Sequence, residues 1–141
     1  MVRLLAFLVC ERATVGKSGK VTLHELFDGM IISQASTIPR MSFGVRRGRP
    51  IFYVYYKIVA DKACTVALKV LDPSGGEIPG AWSDPIAPPG PAESTWQAIW
   101  ALSTSLFEVP GNYMLRLICH ESGIPSPALL ASTQLTVAQA E

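Results

Sequence analysis

The sequence holds little of the chemistry that enzymes and metal sites commonly use. It has only two histidines, His24 and His120, whereas a zinc site needs three or four ligands. No Gly-x-Ser-x-Gly elbow of a serine hydrolase occurs. The Gly-Lys-Ser at residues 16–18 lacks the glycine that a phosphate-binding loop requires five residues earlier, where Glu11 stands. We therefore predict no catalytic residue, no cofactor and no metal, and interpret the protein as a non-enzyme.

Charged side chains are also scarce, and the two signs are unevenly placed. They make up 16% of the 141 residues, against 49% hydrophobic residues. Before Leu71 there are 11 basic and 4 acidic residues, whereas from Leu71 onward Arg116 is the only basic residue against 7 acids. Few surface charges leave apolar surface for a partner to cover. If the fold keeps the two signs apart, copies of the chain would attract one another.

No hydrophobic run approaches the roughly 20 residues of a membrane span, so no contact with a membrane is predicted. Residues 4–10 are apolar, but only Arg3 precedes them and no small-x-small cleavage pattern follows, unlike a signal peptide. We interpret this run as a first strand that is buried on both faces. The expected location is the cytoplasm.

Cysteine is limited to three residues, Cys10, Cys64 and Cys119. Each lies in or beside an apolar run, where cysteine packs as a small hydrophobe. We expect buried, reduced and poorly reactive thiols, as in a reducing compartment.

The most frequent pattern in the sequence is an alternation of side chains with a period of two, as in a β-strand. Tyr113 to Cys119 alternate with Met114 to His120 behind a Pro-Gly-Asn turn, and residues 129–137 alternate again. Residues 52–58, 66–70 and 96–102 have the same period of two, and residues 72–77 have the composition of a hairpin turn. Residues 73–91 are rich in proline and predict a long irregular loop. The pattern predicts one all-β domain over residues 1–141, an antiparallel β-sandwich of about seven to nine strands.

Residues 21–33 are ambiguous. Leu23, Leu26, Phe27, Met30 and Ile31 fit a helical period, and Thr22 with Glu25 could form a capping box. The same residues also fit a strand with a bend or bulge at Asp28-Gly29. Periodicity alone favours the helix.

Several segments together resemble a family of small uncharacterised bacterial proteins. They are residues 5–14, 19–23 and 26–28, the turn at 70–75, and the Phe107-x-x-Pro110-Gly111-x-Tyr113 hairpin. The resemblance implies an immunoglobulin-like or C2-like β-sandwich and a strand rather than a helix over residues 21–33. It implies no activity and no catalytic residue.

A basic cluster is the first candidate binding surface. Arg46, Arg47 and Arg49, with Arg40 before them and Tyr53 and Tyr55 after them, could bind phosphates and stack bases. The alternative is a charged loop that keeps strand edges soluble. The near-neutral net charge of +1 argues against a nucleic-acid partner.

Aromatic residues give a second candidate. Trp96 and Trp100 share one face of a strand and are expected in the core. Trp82 lies in the proline-rich loop and could stack on a sugar.

We therefore expect a structural or interaction protein that acts through self-assembly or by binding another protein. The alternative is a ligand-binding module, for nucleic acid through the arginine cluster or for carbohydrate through Trp82. The surface expected to mediate contact comprises Arg40, Arg46, Arg47, Arg49, Tyr53, Tyr55 and Trp82. Tyr53 and Tyr55 share the face opposite Phe52 and Val54, and a second subunit could cover that face.

Overall fold

The chain folds into two packed β-sheets. The structure, a computed structural model, describes residues 2–15, 17, 21–26, 29–32, 39–41, 51–90, 92–103, 106–107 and 109–139. Sheet A has four strands in the order β2-β1-β5-β9, and sheet B has the order β4-β3-β11-β10-β6-β7, with β8 also paired to β6. These strands are β1 (Val2–Val15), β2 (Val21–Leu26), β3 (Gly29–Ile32), β4 (Pro39–Met41), β5 (Ile51–Ala60), β6 (Cys64–Leu71), β7 (Glu77–Ile78), β8 (Ser83–Ile86), β9 (Ser94–Ser103), β10 (Gly111–Glu121) and β11 (Ala128–Gln139).

The predicted all-β sandwich is confirmed. Nine of the strands have four or more residues, and β4 and β7 are shorter. Every strand pair in the described ranges is antiparallel except β3 with β11, which run parallel. A parallel pair needs a long crossover between its strands, and here the strands β4 to β10 all lie between Gly29 and its partner Thr136.

The alternatives left open at residues 21–33 are decided in favour of strand, and one local prediction is wrong. β2 and β3 occupy 21–26 and 29–32, as the resemblance implies and contrary to the helical period. Pairing with β1 and β11 decides the conformation there, and such tertiary contacts override a local period. The loop expected over residues 73–91 contains β7 and β8, which pair with opposite ends of β6.

The core lies between the sheets and follows the alternation of the strands. On β5 the inward side chains are Phe52, Val54, Tyr56 and Ile58, all at most 1% exposed. They face Leu115 and Leu117 of β10 and other buried residues of sheet B. Trp100 is buried against Tyr56, with ring centroids 4.7 Å apart. Trp96 packs against the same cluster, so the expected core role of both tryptophans is confirmed.

A tyrosine fixes the chain where it enters β10. The Tyr113 hydroxyl donates a hydrogen bond to the Val109 carbonyl oxygen at 2.7 Å, and the Val109 amide donates to the same hydroxyl at 3.2 Å. The ring is 2% exposed and contacts Phe107 edge-on. The phenol thus joins the core to the connection between β9 and β10.

All three cysteines are buried, as predicted. Cys64 and Cys119 lie on the neighbouring strands β6 and β10, and their thiols contact one another through a hydrogen bond. Burial raises the pKa of the Cys64 thiol. Burial, together with the hydrogen bond to Cys64, raises the pKa of the Cys119 thiol to about 12. Both groups are therefore held as thiols at neutral pH, the less reactive form.

Candidate functional site

The outer face of sheet A, the side turned away from sheet B, carries apolar side chains on three neighbouring strands. Strand register places Leu8 of β1 beside Tyr55 of β5, which lies beside Ile99 of β9. Two residues along, Tyr53 lies beside Ala101. We call Leu8, Tyr53, Tyr55, Ile99 and Ala101 the sheet-A outer face.

Exposure within this face is graded from its centre to its edges. Tyr55, on the inner strand β5, is 7% exposed, whereas Leu8 is 38% exposed. Tyr53 and Ile99 are half-buried and Ala101 is exposed. A sheet face open to water ordinarily carries polar residues. Here a continuous apolar strip crosses three strands.

A hydrogen bond fixes the centre of the face. The Tyr55 hydroxyl donates to Gln97 Oε1 at 2.7 Å across the β5–β9 pair. Burial raises the pKa of the Tyr55 phenol, so it remains a neutral donor. The ring is therefore held in place among its neighbours.

The outer face of sheet B is different in character. Alternate residues of its strands that are exposed to water are mostly polar: Thr65, Lys69, Arg116, His120, Ser132, Gln134 and Thr136. Leu129, 58% exposed, is a large apolar exception on β11. Register places Ile118 between Ala67 and Leu129 on this face, so in the described part sheet B has a short apolar strip among polar residues.

This face corrects the interpretation of residues 4–10 as a strand buried on both sides. Leu5 is 49% exposed, and the register of β1 against β5 shifts between Leu4 and Ala6. The shift marks a bulge, an extra residue that bends a strand. Sheet B covers the inner side of β1, and on the outer side Leu8 is 38% exposed whereas Cys10, which pairs with Tyr53, is fully buried.

The predicted surface residues are only partly brought together. Tyr53 and Tyr55 share the outer face opposite Phe52 and Val54, as expected from the alternation. Arg46, Arg47 and Arg49 lie outside the described residues. Arg40 belongs to β4 of sheet B, and its side chain is likewise outside the described part.

Trp82 does not project from its loop as a free aromatic platform. Its indole N–H donates to the Ala101 carbonyl oxygen of β9 at 3.2 Å, and the ring packs against the core. The ring also lies over Gly80, where an added Cβ would come within 2.1 Å of it. Trp82 therefore bridges from the edge of sheet B to the edge of sheet A.

Sequence reasoning missed Leu8, Ile99 and Ala101 as surface residues. Each was recognised as a strand residue, but a single strand does not reveal its neighbours. A continuous apolar run such as that of β1 has apolar side chains on both faces of the strand. The set that includes Leu8, on the face turned away from the core, is the signal in the sequence for an apolar outer surface. Only the sheet order places that set beside the tyrosines.

The charge asymmetry of the sequence does not divide between the two sheets. The strands of sheet A contain Arg3, Arg12 and Lys57 against Glu11 and Glu25. Those of sheet B contain three residues of each sign: Arg40, Lys69, Arg116, Glu77, Asp84 and Glu121. The excess of basic residues in the first half of the sequence is shared between strands of both sheets and the connections between strands.

A buried polar pair links the two sheets below this surface. The Tyr56 hydroxyl donates to Asp84 Oδ2 of β8 at 2.6 Å. Burial, and then the hydrogen bond to Asp84, raise the pKa of Tyr56 well above its ordinary value of 10. A neutral phenol that donates to a carboxylate stabilises the packing of β5 on β8, and it is unsuited to act as a base.

No group of three or more His, Cys, Asp or Glu residues in the described ranges is arranged to hold a metal ion. Within those same ranges, no helix has the length and hydrophobicity to cross a membrane.

Comparison with known proteins does not assign a family. No protein-family model matches the chain, and no curated protein is significantly similar to it in sequence. The resemblance to small bacterial proteins stays a prediction.

Proposed function

We propose that the protein is a non-enzymatic interaction protein that associates with a second copy of itself through the sheet-A outer face. The observation that carries the proposal is the apolar strip from Leu8 across Tyr55 to Ile99 on the outer side of sheet A, where Leu8 is 38% exposed. Large exposed apolar patches on soluble domains mark contact sites. Tyrosine is also enriched at protein interfaces.

The size of the face suits a dimer. The whole outer side of sheet A, with four strands about 4.8 Å apart and on average about 33 Å long, has an area of roughly 600 Å². A standard interface covers about 800 Å² on each partner. The sheet-A outer face with its rim is therefore of the right order for a modest, reversible dimer.

The arrangement of residues along β5 favours a second copy as the partner. Tyr53 and Lys57 lie two residues to either side of Tyr55 on the same face. A two-fold axis through Tyr55 would bring Lys57 of each copy towards Tyr53 of the other, where an ammonium group can lie over an aromatic ring. The face is in this sense complementary to itself.

Leu8→Glu is the first test. A carboxylate buried without a partner in an apolar interface is costly, so we expect the dimer to weaken at least tenfold in sedimentation equilibrium. Leu8 is partly exposed in the monomer, so the fold should tolerate the change. Far-ultraviolet circular dichroism checks this.

Leu129→Glu is the matched control, because it makes the same change at an exposed leucine of sheet B. It should leave the association unchanged. The proposal fails if the wild type stays monomeric at millimolar concentration, or if both variants weaken association equally.

We also propose that the sandwich is immunoglobulin-like. Two features support this: the neighbour orders β1-β5-β9 and β11-β10-β6-β8, and the Tyr113 hydroxyl bound to backbone four residues upstream. Immunoglobulin-like domains have comparable strand neighbours and a tyrosine at this corner. An experimental structure that places β6 or β9 in the other sheet would contradict this assignment.

We further propose that the protein is located in the cytoplasm, a reducing compartment, because its three cysteines are buried and free.

A further inference from the structure

A pocket lies at one end of the sandwich, away from the sheet-A outer face. It forms between the β6–β7 hairpin and the connection that enters β10, and has a volume of about 500 Å³. Apolar side chains of Ile78, Leu106 and Val109 line it, with Tyr113 behind them. Pockets for small organic ligands have this size and character.

One carboxylate supplies the charge in this pocket. Asp72 Oδ1 accepts hydrogen bonds from the Ser74 amide at 2.9 Å, the Ser74 hydroxyl at 2.6 Å and the Gly76 amide at 2.9 Å. The bonds from Ser74, followed by that from Gly76, lower the pKa of Asp72. The side chain is therefore ionised at neutral pH.

The second oxygen of Asp72 accepts none of the three hydrogen bonds from Ser74 and Gly76. All three bonds end on Oδ1, and no basic side chain is among the described residues that line the pocket. Gly76 has no side chain to cover Oδ2, since a Cβ there would lie 3.0 Å from that oxygen. The turn thus orients the carboxylate and leaves one oxygen available.

We propose that this pocket binds an organic ammonium ion, with the cation on Asp72 Oδ2 and an apolar stem against Ile78, Leu106 and Val109. An ammonium group donates hydrogen bonds to a carboxylate and gains charge assistance. The apolar walls accept the stem. The proposal does not depend on dimerisation through sheet A.

Titration followed by nuclear magnetic resonance tests this with n-pentylammonium on the full chain. The neutral isostere n-pentanol and the anion pentanoate serve as comparison probes. We expect saturable shifts at Ser74, Ile78 and Val109, and at least tenfold tighter binding of the ammonium than of either comparison probe. Equal affinity for ammonium and alcohol, or no saturation by 50 mM, would overturn the proposal.

Three variants locate the charge. Asp72→Asn keeps an oxygen for the turn and should abolish the preference for ammonium. Gly76→Ala should weaken binding by crowding Oδ2 while the carboxylate remains. Glu77→Gln removes an exposed carboxylate from the same hairpin that does not line the pocket, and should change nothing. If Glu77→Gln reduced binding as much as Asp72→Asn, the assignment to Asp72 would be wrong.

A capped lysine, N-acetyl-lysine-N-methylamide, carries the same cation on a stem of four methylenes that ends in two amide groups. Tighter binding of n-pentylammonium supports a free amine as the occupant. Tighter binding of the capped lysine supports a lysine side chain of a partner in the same pocket.

Discussion

At the residue scale, the Tyr56 phenol between the sheets makes stability depend on pH. Its pKa is raised in the folded chain, first by burial and then by the bond to Asp84. In the unfolded chain the pKa of this phenol is about 10. Below that pH the contribution of Tyr56 to stability is fully present, and it is lost as the pH rises from there towards the higher pKa of the folded chain. The folded protein resists forming a phenolate that the unfolded chain forms freely.

We therefore expect the free energy of unfolding to fall above pH 10 by up to about 1.4 kcal/mol per pH unit from this group. Tyr56→Phe should flatten that slope, although at neutral pH it costs about 1–3 kcal/mol because Asp84 loses its donor. Urea unfolding at pH 8 to 11 measures both effects. Tyr53→Phe, on the outer face, is the control and should keep the wild-type slope. An unchanged slope in Tyr56→Phe would rule out this account.

At the element scale, one glycine determines how β10 begins. Gly111 has φ of +142°, and a Cβ there would lie 2.7 Å from Pro73 Cγ in the β6–β7 turn. Other residues are strained at such φ, and the proline ring belongs to a turn that also contains Asp72. The first residue of β10 is therefore in close contact with the neighbouring hairpin.

Gly111→Ala should destabilise the fold by about 1–3 kcal/mol, because it combines backbone strain with a steric clash. Gly90→Ala is the matched control, since no atom lies within 4 Å of an added Cβ there. It should change the free energy of unfolding by less than about 0.5 kcal/mol. Urea denaturation of the two variants compares them, and equal losses would contradict the role given to Gly111.

Elements with a clear period of two could be predicted from sequence, whereas their partners could not. β5, β9, β10 and β11 were all recognised by alternation and by the turns around them. The sequence left helix or strand open at β2, because this short segment has an apolar spacing that fits two periods. Pairing with β1 decides in favour of the strand, and the residues of the segment alone do not reveal that pairing.

The candidate sites were predictable to a smaller extent. Tyr53 and Tyr55 could be placed on one face from their spacing alone. The pocket at Asp72 was not predicted, because its walls come from residues 72–78 and 106–113, which only the fold brings together. Asp72 was interpreted as a turn residue, which describes Oδ1 but not Oδ2.

At the scale of the whole molecule, two modes of association make opposite predictions about salt. Association driven by opposed charges in the two halves of the sequence weakens steeply as ions screen them. Association through the sheet-A outer face depends on apolar burial, and the strands of sheet A carry nearly balanced charge. The second mode should be almost insensitive to salt.

We expect the dimer dissociation constant to change less than about threefold between 50 and 500 mM sodium chloride. Reversing Arg46, Arg47 and Arg49 together to glutamate should have a similarly small effect. Light scattering across a concentration series measures both. A loss of association in the triple variant, with Leu8→Glu still associating, would assign the contact to the arginine cluster instead.

The parallel pairing of β3 with β11 has a consequence for synthesis of the chain. Gly29 pairs with Thr136, so β3 cannot form this pair until β11 has been translated. The strands of sheet A, by contrast, are all translated by Ser103. During that interval a nascent sheet A would be apolar on both sides, and such intermediates are prone to aggregate.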